Sequence, residues 1–544
     1  MKKHSSIRSL EAKAKKGDID ALFQLAEYYD NGIYVIQDRV QANLYYEKVL
    51  AKFENPTIQL SSLKLVDFRL FDKIQIDFAN QSNLTAFVGI NGAGKTTILD
   101  AIAKSLSWII KSFVSQGGTG DLINLTDINN DSQWDYSSII SEFLVSGNKY
   151  SLELSKSKEG SNSKRSGQYQ EIKQLAKLYK FADSRNNQFN FPIMAFYSVE
   201  RALDINNKDT VQFDEITEPK SWNKFSGYQK SLNGSADFKL FFRWFKYLDD
   251  VNNSVNRMGS DVSNAIDRLQ AELNSDFVKE MEKQENLDDK TKEFLMAFKK
   301  DKQNQIIQLQ HKITSEPLSK ENRIIQCVTR AVSKFMPGFS NLHIQRSPSL
   351  DMLIDKNGAT LNVLQLSQGE KSLLALVADI ARRLVLLNPS LNDPLQGNGI
   401  VLIDEIDLHL HPGWQQTIVP NLSKTFSNIQ FIFTTHSPQV ISTVPSHQIR
   451  ILNSNRVYSV QSAGTEGAES SRLLKEVFGV EPRAQNLEIV RKLNRYLSLV
   501  DENKWDTNEA IELRDELNEW SCGHEPELVK ADINIRLKKF QRQS

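Results

Sequence analysis

The chain has 544 residues, 40% hydrophobic and 25% charged, which excludes a disordered or fibrous protein and exceeds the roughly 250 residues that one core sustains. Lys+Arg and Asp+Glu are equal at 67 each, so there is no global electrostatic footprint for nucleic acid or anionic lipid, and any such contact must be local. Cys327 and Cys522 are too few for a disulfide framework and lack paired C-x-x-C zinc spacing, no apolar run spans a bilayer, and "MKKHSSIRSLEAKAKKGD" has no signal-peptide core. The expectation is a cytoplasmic protein with reduced thiols and no membrane segment.

Residues 1–56 form the first expected domain. Ala21, Leu22, Leu25, Tyr28 and Tyr29 keep helical spacing, Gly32 breaks it, and Ala42, Tyr45, Tyr46 and Val49 resume it, which predicts a helical hairpin. The A-x-x-G, L-x-x-x-Y and Y-x-K positions resemble one Sel-type repeat, a relative of the tetratricopeptide unit. A single repeat cannot bury its own face, so it either docks a partner or braces the rest of the chain.

Residues 57–235 change to short strands: "IQLSSLKLVDF", "KIQIDF" and "NLTAFVGI", the last running into a glycine-rich loop and the helix "KTTILDAIAKSLSWIIKSF". "SEFLVSG", "KYSLELS" and "FPIMAFYSV" read as further strands around a polar stretch near residues 155–168, expected to be a mobile loop.

Residues 236–335 read as a helical insertion. Phe238, Phe241, Phe242, Phe245, Leu248, Val251 and Val255 make one apolar stripe, continued by Val262, Ile266, Leu269 and Leu273 in steps of four and three. Either this is ordinary helix packing or it is an antiparallel coiled-coil-like insertion that splits one core into two sequence halves.

Residues 336–482 return to strands, "NLHIQ", "DMLID", "GIVLIDE" and "IQFIFTTHS", with the helix-like run that follows "LSQGEKS" between them. Residues 483–544 are expected to be a helical extension, with "NLEIVRKLNRYLSLV" and "AIELRDELNEW" amphipathic. Its basic tail "RLKKFQR" is either a solvated helix face or a contact for a phosphate backbone.

"GINGAGKTT" fits G-x-x-x-x-G-K-[ST] with a strand before it and a helix after it. Gly89, Gly92 and Gly94 let the backbone turn its N–H groups inward around phosphate oxygens, and Asn91 lies in the same cradle. Lys95 is placed for the β- and γ-phosphates of ATP, Thr96 for Mg²⁺ and Thr97 for the α-phosphate side. "GIVLIDE" delivers two carboxylates at a strand end: Asp404 to orient the Mg²⁺ shell and Glu405 to polarise an attacking water as general base. His436, ending a third apolar strand, is placed to hydrogen-bond the γ-phosphate. His409 and His411 form an i, i+2 pair without further Cys or His nearby, which is read as structural rather than metal-binding.

"LSQGEKS" is a second anion cradle, a Ser and a Gly at a helix start. Its presence resembles the ATP-binding-cassette class, in which a signature helix faces the γ-phosphate held by the opposite subunit. By that likeness Ser367 and the Gly369 N–H contact nucleotide on a partner chain, and Asp407 is the D-loop acid at the interface. The fold so implied is α/β: an ABC-type P-loop ATPase head split by a helical insertion, with small all-α N- and C-terminal extensions. Residues 57–450 resemble the SMC, RecF and OLD groups, and "DEIDLHLHPGWQ" points to the OLD-like end.

The Sel-type start, the split core, "LSQGEKSLLALVADIARRL" and the helical end together resemble the PtuA family, ATPases of Septu anti-phage systems that include retron-associated forms. That resemblance implies a homodimer or higher oligomer, an HNH nuclease partner of the PtuB kind and, in the retron form, a reverse transcriptase with its RNA–DNA product. Gln368 in place of the first signature Gly, and Glu370 where transporters carry Gln, argue against a transporter engine. The strand "FPIMAFYSVER" leads into the position of a Q-loop without an assignable Gln, and Lys371 and Arg69 are either phosphate or interface charges or surface residues. The leading expectation is an ATP-hydrolysing switch over a nuclease. The alternatives are a nucleotide-locked scaffold with little turnover and a RecF-like DNA repair ATPase.

Overall fold

The computed structural model describes residues 5–543 except 79–82, 116, 130–133, 161–164, 203–221, 274, 276–277, 279–288, 315–319, 454 and 461–463. Two compact units emerge, Met1–Gln461 and Ser462–Ser544.

The first unit starts with three helices, α1 (Ser5–Lys15), α2 (Ile19–Asn31) and α3 (Arg39–Lys52). Asp18 and Asp38 cap α2 and α3 by accepting from Ala21 N and Gln41 N, and Gly32 at φ 70° ends α2 in the left-handed conformation that glycine adopts without strain. The hairpin is the one its spacing predicts; α1, whose only large apolar side chains are Ile7 and Leu10, precedes it. Its aromatic face is covered by the chain itself: Tyr46 stacks on Phe181 with centroids 4.5 Å apart and Phe23 lies 5.4 Å from the same ring, on α5 (Gln170–Arg185).

Two sheets hold the centre. An antiparallel sheet has the order β2-β1-β4-β5, with β1 Ile58–Phe68, β2 Phe71–Asp77, β4 Tyr136–Val145 and β5 Asn148–Ser157. A six-stranded sheet has the order β13-β12-β3-β11-β10-β6, with β3 Leu84–Gly89, β6 Ile193–Tyr197, β10 Gly399–Ile403, β11 Ile429–Thr434, β12 Ile449–Asn453 and β13 Arg456–Ser459. All its pairings are parallel except β12 with β13. The strands β6, β10 and β11 are buried throughout, which is why they read as continuous apolar runs rather than alternating ones. Helix α4 (Lys95–Val114) supplies their cover with Ile98, Leu99, Ile102, Leu106 and Ile109 fully buried, and its Ser105 meets Ser141 of β4 at 2.8 Å.

The polar stretch expected as a loop is partly ordered: β5 continues to Ser157 and Gln168 pairs with Glu153, while residues 161–164 lie outside the described residues. The insertion is helical, α6 (Phe238–Leu273), α7 (Asp289–Thr314) and α8 (Lys320–Phe335). Phe238, Phe241, Phe242, Phe245 and Leu248 are buried as their stripe predicts, Lys302 of α7 reaches Glu272 of α6 at 2.7 Å, and the side chains of Val255 and Val262 lie outside the described residues. A small sheet β7-β8-β9 (Phe339–Gln345, Asp351–Lys356, Ala359–Asn362) precedes α9 (Gln368–Leu387). Between β10 and β12 lie two more helices that matter for the site, α10 (Pro412–Gln415) and α11 (Ile418–Thr425), with α12 (Pro438–Ile441) after β11.

The second unit is helical: α13 (Ser470–Glu476), α14 (Glu488–Asp501), α15 (Asn508–Ser521) and α16 (Pro526–Gln543). Leu493, Tyr496, Leu499 and Val500 of α14 pack with Ala510 and Leu517 of α15 and Leu528 and Ala531 of α16. Among the described residues no helix is long and apolar enough to cross a membrane.

Where α2 meets β5, burial pushes the Asp20 carboxyl up to about 6 despite a hydrogen bond from Tyr150, and its Oδ1 is buried without a partner. A folded-state value above the unfolded one means that the stability linked to this group is present at low pH and is lost as pH rises through about 6. Asp20→Asn, which cannot ionise, is therefore expected to stabilise the fold by about 1 kcal/mol at pH 8 and to give no gain at pH 4. Thermal melts of both proteins across that range check it.

Candidate functional site

The loop between β3 and α4 is shaped by two glycines. Gly92 at φ 80° and Gly94 at φ 95° are left-handed, and a Cβ on Gly94 would lie 2.5 Å from the Phe71 ring. Helix α4 has no side-chain cap, so the first-turn N–H groups of Lys95, Thr96 and Thr97 face the loop as open donors at the positive end of a 20-residue helix. Asn91, Gly92 and Thr96 are exposed at the rim, whereas Lys95 is buried. Its ammonium donates to the carbonyls of Gly89 (2.9 Å) and Ile90 (3.1 Å). Burial lowers its pKa, against the opposing pull of Asp404, Glu405 and Asp407.

Asp404 directly follows strand β10, and its N–H donates to the carbonyl of Tyr197 at the end of β6 (2.8 Å). Its carboxylate accepts from two hydroxyls: Thr96 at 2.8 Å and Thr434, the last residue of β11, at 2.6 Å. Thr434 Oγ1 also accepts from Glu405 N at 2.7 Å, and its carbonyl accepts from Ile406 N at 2.9 Å. Glu405 is thereby held at φ 44°, a left-handed backbone that a residue with a Cβ rarely adopts. Asp407 accepts from Thr435 Oγ1 at 2.5 Å and from His436 N at 3.4 Å. Burial, helped by the Lys95 charge and opposed by Asp407, Glu405 and Asp404, lowers the His436 pKa below its ordinary value and favours the neutral imidazole. Ser437 then starts α12 and donates to Gln415 of α10 at 2.8 Å.

Ser367 caps α9 in a reciprocal box, its Oγ accepting from Glu370 N and its N–H donating to the Glu370 carboxylate at 3.0 Å. Lys356 of β8 pairs with the other Glu370 oxygen at 2.8 Å, which explains a Glu at this position. A Cβ on Gly369 would lie 2.5 Å from the His409 carbonyl, so α9 can approach the segment after Asp407 this closely only through a glycine. His409 itself is left-handed at φ 61°, and His411 Nδ1 accepts from Gly413 N at the start of α10. Arg69 is held inside the chain by Asp100 (2.6 Å) and Asp127 (3.0 Å).

The fold thus assembles Lys95, Thr96, Asp404, Glu405, Asp407 and His436 from three strand ends, with Ser367 and Gly369 on a separate helix. Sequence reasoning missed Thr434 and Thr435, Gln415 and Tyr197. The adjacent hydroxyls in "TTHS" were a visible signal, two donors beside the acids of a neighbouring strand. Tyr197 had none, since its part depends on the register of β6 against β10. Chemically, the cradle of N–H groups with a buried ammonium suits phosphate, and the paired hydroxyl and carboxylate oxygens of Thr96 and Asp404 are hard donors suited to a Mg²⁺-type cation.

A parallel sheet with this loop and acid pair at its C-terminal edge, and with the head split by helices, defines a P-loop ATPase head of the α/β class. Residues 84–442 match the family model "AAA domain, putative AbiEii toxin, Type IV TA system", and residues 60–107 match "P-loop containing region of AAA domain". The chain is 38% identical over 538 residues to "Retron Ec83 probable ATPase" of Escherichia coli, covering 99% of this chain and 98% of that one. It is 32% identical over 185 residues to "Septu protein PtuA" of Bacillus mycoides (strain KBAB4), 32% of this chain and 24% of that one. Among solved structures it is similar to the Smc head domain with an extended coiled coil from Pyrococcus furiosus, at 17% identity and a TM-score of 0.36 over 74% of this chain and 96% of that one. The chain belongs to this AAA-domain family and is a full-length relative of the retron-associated probable ATPases.

Thr434→Val keeps the shape of the side chain but leaves a buried Asp404 oxygen without its donor and the Glu405 N–H without its acceptor. The expected result is ATP turnover lowered about 10- to 100-fold, with about 1–3 kcal/mol of stability lost. Thr434→Ser, which restores the hydroxyl, should recover most of both; kcat and melting curves of the two variants check this.

Proposed function

We propose that this chain is an ATP-hydrolysing switch, closing head to tail with a second copy around nucleotide and so controlling a separate HNH nuclease subunit in anti-phage defence. The observation that carries this reading is the seat of Asp404: one carboxylate held between the Thr96 and Thr434 hydroxyls, with Glu405 turned beyond it by a left-handed backbone.

In this scheme Lys95 leaves the Gly89 and Ile90 carbonyls for the β- and γ-phosphates, joined by the N–H groups of Gly92, Gly94, Thr96 and Thr97, with Asn91 at the rim. Thr96 and Asp404 would hold Mg²⁺, which supplies charge neutralisation on the phosphates. Glu405 accepts a proton from the attacking water, and the neutral His436 imidazole hydrogen-bonds the γ-phosphate oxygens. Ser367 and the Gly369 N–H serve the nucleotide of the other copy, with Asp407 at the joint. Ser367 supports that assignment: it bonds Glu370, on a helix apart from the loop carrying Lys95. Differential closure with and without ATP is what allows a nuclease partner to be switched. Retron and Septu relatives, by their names, suggest the setting: a PtuB-like nuclease, and in the retron form a reverse transcriptase with its RNA–DNA product.

Glu405→Gln is expected to bind MgATP, to lose turnover by at least about 100-fold and to accumulate as the closed dimer. Ser367→Arg should bind nucleotide as a single copy and fail to close, and Lys95→Ala should lose nucleotide altogether. Light scattering with MgATP, together with phosphate release, reads all three. If Glu405→Gln leaves defence and assembly intact while Lys95→Ala abolishes both, the chain is a nucleotide-locked scaffold and the switch reading fails.

A further inference from the structure

The stretch from Leu408 to Gln415, "LHLHPGWQ", carries none of the acids of the site, yet its backbone course is closely set. His409 is left-handed at φ 61°, and its carbonyl lies where a Cβ on Gly369 would reach to 2.5 Å. Leu410 is buried, and its N–H donates back to the Asp407 carbonyl at 3.1 Å. His411 Nδ1 then accepts from Gly413 N, Pro412 takes the first helical position, and the His411 carbonyl accepts from Trp414 N and Gln415 N at 2.8 and 3.1 Å. These bonds wind one short turn, α10, whose last residue is Gln415.

The half-buried Gln415 side chain bridges two segments that meet at the nucleotide site. Its Nε2 donates to the Leu410 carbonyl at 2.9 Å, and its Oε1 accepts from the Ser437 hydroxyl at 2.8 Å. A carbonyl only accepts, so the amide can face only this way round. Ser437 in turn accepts from Val440 N at 3.1 Å, the cap of α12, while its N–H donates to Thr435 Oγ1 at 3.0 Å; that hydroxyl gives its one proton to Asp407. His436 therefore lies between two residues whose side chains are both tied to the 404–415 segment, Thr435 to Asp407 and Ser437 to Gln415. Its own tie, from its backbone N–H to Asp407, is long at 3.4 Å. The other acceptor near the Ser437 hydroxyl, Gln439 Oε1 at 3.1 Å, belongs to α12 itself and gives no hold on the acid segment.

Resting on the reading of His436 as the γ-phosphate contact, we propose that Gln415 is its positioning residue. Gln415 acts through Ser437 and not on nucleotide: it fixes Ser437 to the Leu410 carbonyl and so holds the neighbouring imidazole in place relative to Glu405 and Lys95. The His409 and His411 pair serves the same geometry, one through its left-handed turn and the other through its Nδ1 cap, which together aim α10 at Ser437. Misplacing such a group by about 1 Å can cost about 100-fold in rate. The phosphate cradle of Lys95 and the α4 N–H groups lies outside this bridge, so nucleotide binding does not depend on it.

The test is steady-state ATP turnover by the full chain with Mg²⁺. Gln415→Met keeps the length of the side chain and loses both bonds; kcat is expected to fall about tenfold, with KM for MgATP within about twofold of the wild type. Gln415→Glu has the same shape, keeps the acceptor toward Ser437 and, when ionised, has no donor for the Leu410 carbonyl, so its kcat should fall between the two. The deciding measurement adds His436→Ala: a residue that acts through His436 has no further effect once the imidazole is gone, and the double variant should turn over like His436→Ala alone. Losses that multiply in the double variant overturn the assignment. So do wild-type kcat in both Gln415 variants, and a change confined to KM or to the melting temperature. Each of these leaves the switch reading in place, because His436→Ala would still be slow. Wild-type turnover in His436→Ala would overturn the role of His436 and that of Gln415 together.

Discussion

The carboxylate of Asp404 is the point on which the two sequence halves of the head close. It is bound by a hydroxyl 308 residues earlier, at Thr96, and by one 30 residues later, at Thr434. Parallel strands cannot be joined by tight turns, so β3, β10 and β11 must each be fed through long crossovers before their ends line up. This constraint is what tolerates the helical insertion. Residues that leave the head after β6 and return before β7 disturb no pairing within the parallel sheet, because the sheet never relied on local connections. It also explains why the two apolar strands with the acid and the hydroxyls lie side by side: a single residue of register slip would turn Thr434 away from Asp404.

Behind that point lies a second constraint, this time ionic. Asp379, in the middle of α9, is fully buried with Arg382 and Arg383, which it binds at 2.7 Å each, and it accepts from the Tyr197 hydroxyl at 2.9 Å. Burial alone would push the Asp379 carboxyl up, but the two guanidinium groups outweigh it and hold it below the ordinary carboxylate range. Arg383 also donates to the carbonyl of Gly227 at 2.7 Å, while one Arg382 nitrogen is buried without a partner. Buried ions of this kind add little net stability compared with apolar packing, but they tolerate little displacement, since a separated partner leaves a charge stranded in low dielectric. The same Tyr197 whose ring hydroxyl meets Asp379 offers its carbonyl to Asp404 N. The helix that begins with Ser367 is therefore connected to Asp404 through one residue and two hydrogen bonds.

Much of this was legible in the sequence because it is local. A strand, a glycine loop with Lys95 and Thr96, and a helix follow one another without interruption, and the "IDE" of β10 and the "TTHS" after β11 each close an unbroken apolar run. The insertion announced itself by its phenylalanine stripe. What escaped was what depends on register and on neighbours far along the chain. Helix α5, "QEIKQLAKLYKFADSR", is amphipathic enough to have been read but was masked by the polar stretch before it. The strands β9, β12 and β13 are only 4 to 5 residues long, too short for a period to stand out. The role of Thr434 follows from which strand lies beside β10, and the buried Asp379 cluster looks in sequence like any charged i, i+3, i+4 group on a helix surface.

A chain of zero net charge still carries a strongly uneven charge distribution at this site. One ammonium, Lys95, faces the three carboxylates Asp404, Glu405 and Asp407, so the pocket around the loop is anionic apart from the open N–H groups of α4. A polyphosphate approaching it alone meets net repulsion from the acid side and attraction only from the helix end and Lys95. A divalent cation held by Thr96 and Asp404 would offset the first of these without altering the second. Lys95 sits on backbone carbonyls rather than on the acids, so it is not locked in an ion pair that binding would have to break. An ammonium buried on weak acceptors, with its pKa already lowered by burial, gains more from meeting a phosphate than one solvated at the surface.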